Sequence, residues 1–127
     1  MEACLAAIDE RNDELNALIY LDKEAARTQA CACDEANEEF GPLHGIPVTI
    51  KECFDWKGRP TTWGDPSRRD HRARKDAAIV ERLKQAGAVI IGKSNIPPYL
   101  SDWETDNPLF GATRNPYDPS RSAGGSS

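Results

Sequence analysis

Lys51 closes the apolar run Ile46-Pro47-Val48-Thr49-Ile50, and Cys53 and Phe54 follow close behind it. Desolvation among such neighbours favours a lysine's neutral amine, which can then accept a proton near neutral pH. Taken alone, a lysine at a strand end is more often solvated and inert, because lysine is rarely buried. At the far end, Gly124-Gly125-Ser126-Ser127 offers hydroxyls behind glycines that permit close approach and an unusual backbone. Alone, that stretch reads as a Gly/Ser linker.

Other residue patterns carry less chemistry. Gly87-Ala88-Val89-Ile90-Ile91-Gly92-Lys93-Ser94 satisfies the phosphate-binding P-loop letter by letter. A phosphate cradle needs a strand before the loop and a helix opening at its lysine. Here a helical pattern precedes the first glycine, the intervening residues are β-branched, and Pro97-Pro98 opposes a helix running on from Lys93, so the segment is read as strand plus turn with Asn95 shaping the loop. Cys4, Cys31, Cys33 and Cys53 show neither a disulfide framework nor CxxC spacing, and residues 31 and 33 on a helix point about 200° apart. With only His44 and His71 to add, no metal site is expected. The basic run from Arg68 to Lys75 has no interleaved aromatic and is read as a solvated loop.

The elements that must position Lys51 follow from periodicity. Leu5, Ile8, Asn12 and Leu15 share one face, predicting an amphipathic helix over residues 2 to 14. Residues 17 to 21 read as a short strand. Asp22 is the expected cap of a second helix carrying the stripe Ala26, Ala30, Cys33 and Phe40 and ended by Gly41. A strand then runs through Lys51, with Pro47 near its start, where a missing ladder donor is tolerable. Residues 57 to 75 are turn-rich. Asp76 is the expected cap of a third helix with Ile79, Val80, Leu83 and Ala86 inward, Gly87 ends it, and residues 88 to 91 form a buried strand. Strand, helix, strand in that order is a crossover unit of an α/β sheet. From Ser94 onward, Pro97, Pro98, Pro108, Pro116 and Pro119 break any periodicity, and an irregular run of that length is expected to be functional or to wrap something.

Composition narrows the class. The 127 residues are 39% hydrophobic and 29% charged, with a net charge of -5. Residues 1 to 40 hold 3 basic and 11 acidic groups, whereas residues 41 to 127 hold 13 and 10. An acidic first third argues against binding a phosphate backbone. No apolar run approaches a membrane span, and Met1-Glu2-Ala3-Cys4 lacks a signal sequence, so a cytoplasmic location is expected.

Blocks in a fixed order carry a family resemblance: Gly41-Pro42-Leu43-His44-Gly45-Ile46-Pro47-Val48-Thr49-Ile50-Lys51, then Thr61-Thr62-Trp63-Gly64, Gly92-Lys93-Ser94-Asn95, Asn107-Pro108-Leu109-Phe110-Gly111, and Arg114-Asn115-Pro116 running into Gly-Gly-Ser-Ser. Together they resemble the opening part of an amidase signature hydrolase, across residues 1 to 127. Lys51-Glu52-Cys53-Phe54 and the Asn107 block are similar to the fatty-acid amide hydrolase branch. Glu52 stands where an aspartate is more usual, and Pro98 where many members have an acidic or amide side chain.

The resemblance implies an α/β fold, the amino-terminal portion of a mixed sheet flanked by helices, incomplete, with one partial domain over residues 1 to 127. It implies hydrolysis of a small-molecule carboxamide through a serine acyl-enzyme, without metal, cofactor, nucleic acid or membrane segment. Lys51 is then the terminal base of a Ser-cisSer-Lys triad and Ser126 the proton bridge, Ser127 lies beside Lys51, and Tyr99 and Leu100 line the acyl part of the substrate. The family's nucleophilic serine follows a second glycine-rich motif that these residues do not contain, so the chain by itself is expected to be inactive and to leave Val89-Ile90-Ile91 exposed. Two alternatives stay open: one of the subunits of an amidotransferase acting on charged transfer RNA, and a non-catalytic truncated domain that binds a partner.

Overall fold

The computed structural model describes residues 1–125. Helix α1 (Glu2–Leu15) leads into strand β1 (Leu18–Leu21), helix α2 (Lys23–Glu35), strand β2 (Pro47–Lys51), helix α3 (Ala78–Gln85) and strand β3 (Val89–Ser94). The strands form one mixed sheet in the order β1-β3-β2, antiparallel between β1 and β3 and parallel between β2 and β3. The parallel pair with α3 between its strands is the crossover unit read from the sequence.

As the central strand, β3 is covered on both faces. Val89 and Ile91 join Leu5, Ala26 and Cys33 on the side of α1 and α2, while Ile90 joins Ile50, Trp56 and Val80 on the side of α3. Val89, Ile90 and Ile91 are each at most 2% exposed. The expectation that this apolar segment would lie open in the chain alone is therefore corrected: two helical layers within the same residues cover it. Gly92 is required where β1 bulges toward β3, because a Cβ there would stand 2.2 Å from the Tyr20 carbonyl oxygen.

Asn12, polar on the buried face of α1, ties the helix to β1. Its amide nitrogen donates to the Leu18 carbonyl (2.8 Å), and its oxygen accepts from the amides of Ala17 (3.1 Å) and Leu18 (2.8 Å). Asp22 caps α2 as expected, accepting from the Ala25 amide at 3.2 Å.

Helix α2 is shorter than its sequence pattern. It stops at Glu35, Ala36 is extended (ψ 135°), and Phe40, 56% exposed, is not part of a helical stripe. His44 supplies the stop. Its Nδ1 accepts from the Phe40 amide (2.9 Å), which leaves Nε2 as donor to the Cys33 carbonyl (3.1 Å) in the last turn of the helix; that carbonyl also accepts from the Ala36 amide (3.3 Å). Gly41 therefore ends no helix; its Cα packs on the end of α3, where a Cβ would meet the Ala86 oxygen at 2.8 Å. The start of α3 also differs from expectation. The cap position is Ala77, without a side-chain hydrogen bond, and Ile79 is 42% exposed. Asp76 instead turns back to accept from the Lys57 amide and from Lys84 Nζ, both at 2.6 Å, which pins the turn-rich segment to α3.

Candidate active site

Lys51 is the last residue of β2, half-buried, and stands opposite Ser94 in the parallel ladder. The amide of Glu52 donates to the Ser94 carbonyl (3.1 Å) and that of Phe54 to the Lys51 carbonyl (3.0 Å), so the chain turns directly after the lysine. Cys53 lies within the field of Lys51: burial pushes its thiol up, and the positive charge of Lys51 pulls in the opposite direction.

Sequence reasoning gives no role to a second lysine. Lys93 is fully buried within β3, and its ammonium donates to the Pro60 carbonyl (2.5 Å) and to Thr61 Oγ1 (3.0 Å). The apolar run ends at Ile91, so residues 92 to 94 read as a turn, whereas β3 continues through Ser94. The segment that spells a P-loop is thus a helix end followed by a strand whose amides serve the sheet, which agrees with rejecting it as a phosphate cradle.

Burial lowers the pKa of Lys93 from 10.5 to about 8, partly countered by the nearby acidic groups, Glu52 first and Asp55 next. Below pH 8 both folded and unfolded chains hold this proton. Between about 8 and 10.5 the unfolded chain holds more of it, so this group makes stability rise with pH across that window. Urea unfolding at pH 7 and pH 10 is expected to show a stability gain in the parent chain relative to Lys93→Met. An equal pH response in the two proteins would contradict the assignment.

Asn95 and Asn107 organise the irregular segment after β3. The Asn107 amide nitrogen donates to Asn95 Oδ1 and to the Ile96 carbonyl, both at 2.8 Å, and its oxygen accepts from the amides of Leu109 (3.0 Å) and Phe110 (2.9 Å). Asn95 in turn donates to the Gly111 carbonyl (2.9 Å) and to Thr113 Oγ1 (3.1 Å), which itself donates to the Asn16 carbonyl (2.7 Å). The Thr113 amide donates to the Thr105 carbonyl (2.8 Å), the Ala123 amide to the Thr113 carbonyl (3.2 Å), and Thr105 Oγ1 to the Gly124 carbonyl (3.3 Å). A run of fixed contacts thereby leads from the end of β3, where Ser94 faces Lys51, to the glycines that precede Ser126. Ser126 and Ser127 lie outside the described residues.

Tyr99 and Leu100 sit in a short 3-10 turn, Pro98–Leu100, with left-handed backbones (φ 51° and 59°) and 56% and 39% exposure. Tyr99 stacks on Trp63, with centroids 6.2 Å apart and planes at 23°, and its hydroxyl donates to Asp65. That hydrogen bond holds the Asp65 carboxyl below its ordinary range and pushes the Tyr99 phenol up. A recess of about 350 Å³ is lined by Tyr20, Thr62, Arg69, Phe110 and neighbours, and neither Lys51 nor Tyr99 lines it. Leu100 lines a separate surface recess of about 320 Å³ with Ser101, Asp102 and Trp103. Among the described residues, no helix is long and apolar enough to cross a membrane.

A three-layer α/β unit with a lysine at the end of one parallel strand and a pinned glycine segment leading away from its neighbour defines a recognisable class. The family model described as "Amidase" matches residues 1–127. The indoleacetamide hydrolase of Bradyrhizobium diazoefficiens is 44% identical over 130 residues, covering 100% of this chain and 25% of that protein. One of the subunits of the glutamyl-tRNA(Gln) amidotransferase from Nitratidesulfovibrio vulgaris is 41% identical, covering 98% of this chain and 26% of that protein. Among solved structures, a bacterial aryl acylamidase of the amidase signature family superposes with TM-score 0.92 at 30% identity, covering 98% of this chain and 27% of its own. A fatty acid amide hydrolase superposes with TM-score 0.83 at 28% identity, covering 91% and 21%. The chain belongs to the amidase signature family of hydrolases. It spans about a quarter of the length of the curated relatives it matches.

Proposed function

We propose that the protein carrying these residues hydrolyses a small carboxamide through a serine acyl-enzyme. Lys51 is the terminal base and Ser126 the bridge that passes the nucleophile's proton to it. The reading is carried by one observation: Lys51 ends a parallel strand, half-buried, opposite the residue from which the pinned segment toward Gly124 departs. The alkoxide formed at the nucleophilic serine attacks the amide carbon, the tetrahedral intermediate collapses, and the proton held by Lys51 returns through Ser126 to the leaving amine. Water then repeats the cycle on the acyl-serine. Tyr99, Leu100 and Ser127 are assigned to substrate contact.

The nucleophile and oxyanion donors of this scheme lie outside residues 1–127. The 127-residue chain is therefore expected to release no amine from simple aryl amides, while the whole protein does so and can be trapped as an acyl-enzyme adduct by mass spectrometry. Amide hydrolysis by the 127 residues alone would overturn the scheme, and so would a whole protein that turns over amides without ever forming the adduct.

The 41% identity to a component of a transfer RNA amidotransferase favours a second reading, in which the released ammonia is passed to a charged transfer RNA. Rapid hydrolysis of simple amides by the protein without any partner supports the first reading, and dependence on a transfer-RNA-binding partner supports the second.

A further inference from the structure

Two opposite charges are buried on either side of one turn. Lys93, 0% exposed, grips the Pro60 carbonyl and the Thr61 hydroxyl. Glu52, 1% exposed, accepts from the amides of Thr62 and of Trp63, the latter at 2.9 Å. A cation thus holds the oxygen side of the turn Pro60–Trp63 and an anion its amide side. Stability alone gives little reason for such an arrangement, because replacing buried charges together with well-packed apolar groups is often neutral or stabilising, whereas removing one alone is severe.

Their place in the sheet gives a better reason. Glu52 is bonded directly to Lys51, and its amide holds the Ser94 carbonyl at 3.1 Å. On the other side of Lys51, Ile50 is the register partner of Lys93. The candidate base is bracketed by the two charges, and both brackets close on the same turn.

We propose that Glu52 and Lys93 are positioning residues for the hydrolysis assigned to Lys51: jointly they lock the Pro60–Trp63 turn onto the ends of β2 and β3 and so fix how the Lys51 side chain leaves the sheet. The inference rests on the amidase reading. It adds that the acidic residue after the base and the lysine of the Gly92-Lys93-Ser94-Asn95 block act as one device. The positive backbone angle of Trp63 (φ 58°) is part of what the device maintains, since the Trp63 amide is held by Glu52 and its carbonyl accepts from the Tyr99 amide (2.9 Å).

The test is made in the whole enzyme with the double variant Glu52→Gln, Lys93→Met, which removes both charges at nearly constant volume. It is expected to melt within a few degrees of the parent, with residues 60 to 64 exchanging amide hydrogens about 10-fold faster or more. Its kcat is expected to fall about 10²-fold with KM within about 3-fold, the pattern of a misplaced catalytic group rather than of lost binding. Parental kcat in the double variant overturns the proposal, and so does a loss of kcat with parental exchange at residues 60 to 64. If the double variant does not fold, Glu52→Asp is read instead: it keeps the charge and shortens the reach, and a kcat loss at unchanged KM supports positioning while parental kcat overturns it. Failure of the amidase reading is separable, because it would appear as a parent protein that hydrolyses no amide, and failure of the Lys51 assignment as full hydrolysis in Lys51→Ala, whereas the exchange of residues 60 to 64 reports on the pair whatever the reaction.

Discussion

Under the proposed scheme, Lys51→Ala is expected to slow amide hydrolysis by the whole protein about 10² to 10⁴-fold, the range for removing a positioned acid-base group. The reason is specific to its position. At the end of β2 the lysine is carried by a parallel ladder to β3, and the chain turns immediately through the Phe54-to-Lys51 hydrogen bond of 3.0 Å. A side chain mounted on such a rigid element serves proton transfer better than one on a loop. Removing a base that acts only in the transition state should lower kcat and kcat/KM together and leave KM nearly unchanged. Lys51→Arg is expected to be almost as slow, because a guanidinium stays protonated and cannot accept a proton near neutral pH. Steady-state kinetics on an aryl amide separate the possibilities: a KM increase with parental kcat would make Lys51 a substrate-binding residue, and parental activity in both variants would remove it from the mechanism.

Much of the scaffold around Lys51 is written locally. The face Leu5, Ile8, Asn12, Leu15 gives α1 to within a residue, and the crossover from β2 to β3 follows from an apolar run, a helix and a second apolar run in order. Even Asn12, which breaks the apolar character of that face, turns out to serve the junction to β1. Errors occur where distant residues decide. Helical spacing of alanines and cysteines extends the second helix to Phe40, yet its end is set by His44, a residue beyond the helix whose ring takes both the Cys33 carbonyl and the Phe40 amide. Asp76 has the residue type of a helix cap and is used instead to tie Lys57 to Lys84.

Polar residues inside the site are the hardest to read. Lys93 follows a glycine after an apolar run, which is also how a turn is spelled, and nothing in its neighbourhood in sequence signals that its partners lie at Pro60 and Thr61. The motif blocks mark segments without assigning them work. Thr61-Thr62-Trp63-Gly64 and Gly92-Lys93-Ser94-Asn95 are separate signs of the family in the sequence, whereas in the folded chain they touch, through Lys93 and Thr61. Tyr99 and Leu100 are expected substrate contacts; their left-handed backbones and the stacking of Tyr99 on Trp63 are features that no sequence pattern announces.

Asn107→Ala is expected to lower the stability of this chain by about 3 kcal/mol or more. The side chain is 4% exposed and fills all four of its hydrogen-bonding places, two as donor and two as acceptor. Alanine would leave the Ile96 carbonyl and the amides of Leu109 and Phe110 without this partner, and Asn95 Oδ1 with the Ile96 amide (3.0 Å) in place of two donors. Each buried polar group left unmade costs about 1 to 3 kcal/mol, and partial relaxation keeps the sum below the simple total. For a chain of this size the loss corresponds to a fall of roughly 10 °C in melting temperature. Asn107→Asp makes a sharper comparison, because it keeps both acceptor bonds and loses both donor bonds while adding a buried charge, so it should be at least as destabilising as alanine near neutral pH and recover as the pH falls and the carboxyl protonates. The functional consequence follows from connectivity: Asn107 holds Asn95, Asn95 holds Thr113, and Thr113 and Thr105 hold the backbone at Ala123 and Gly124. In the whole protein, loosening the first link should therefore lower the hydrolytic rate of molecules that remain folded, as well as their number. Kinetics of the whole protein well below its melting temperature distinguish the two, and a 127-residue Asn107→Ala chain that melts within about 2 or 3 °C of its parent, about 1 kcal/mol or less, would show that the network does not carry the segment.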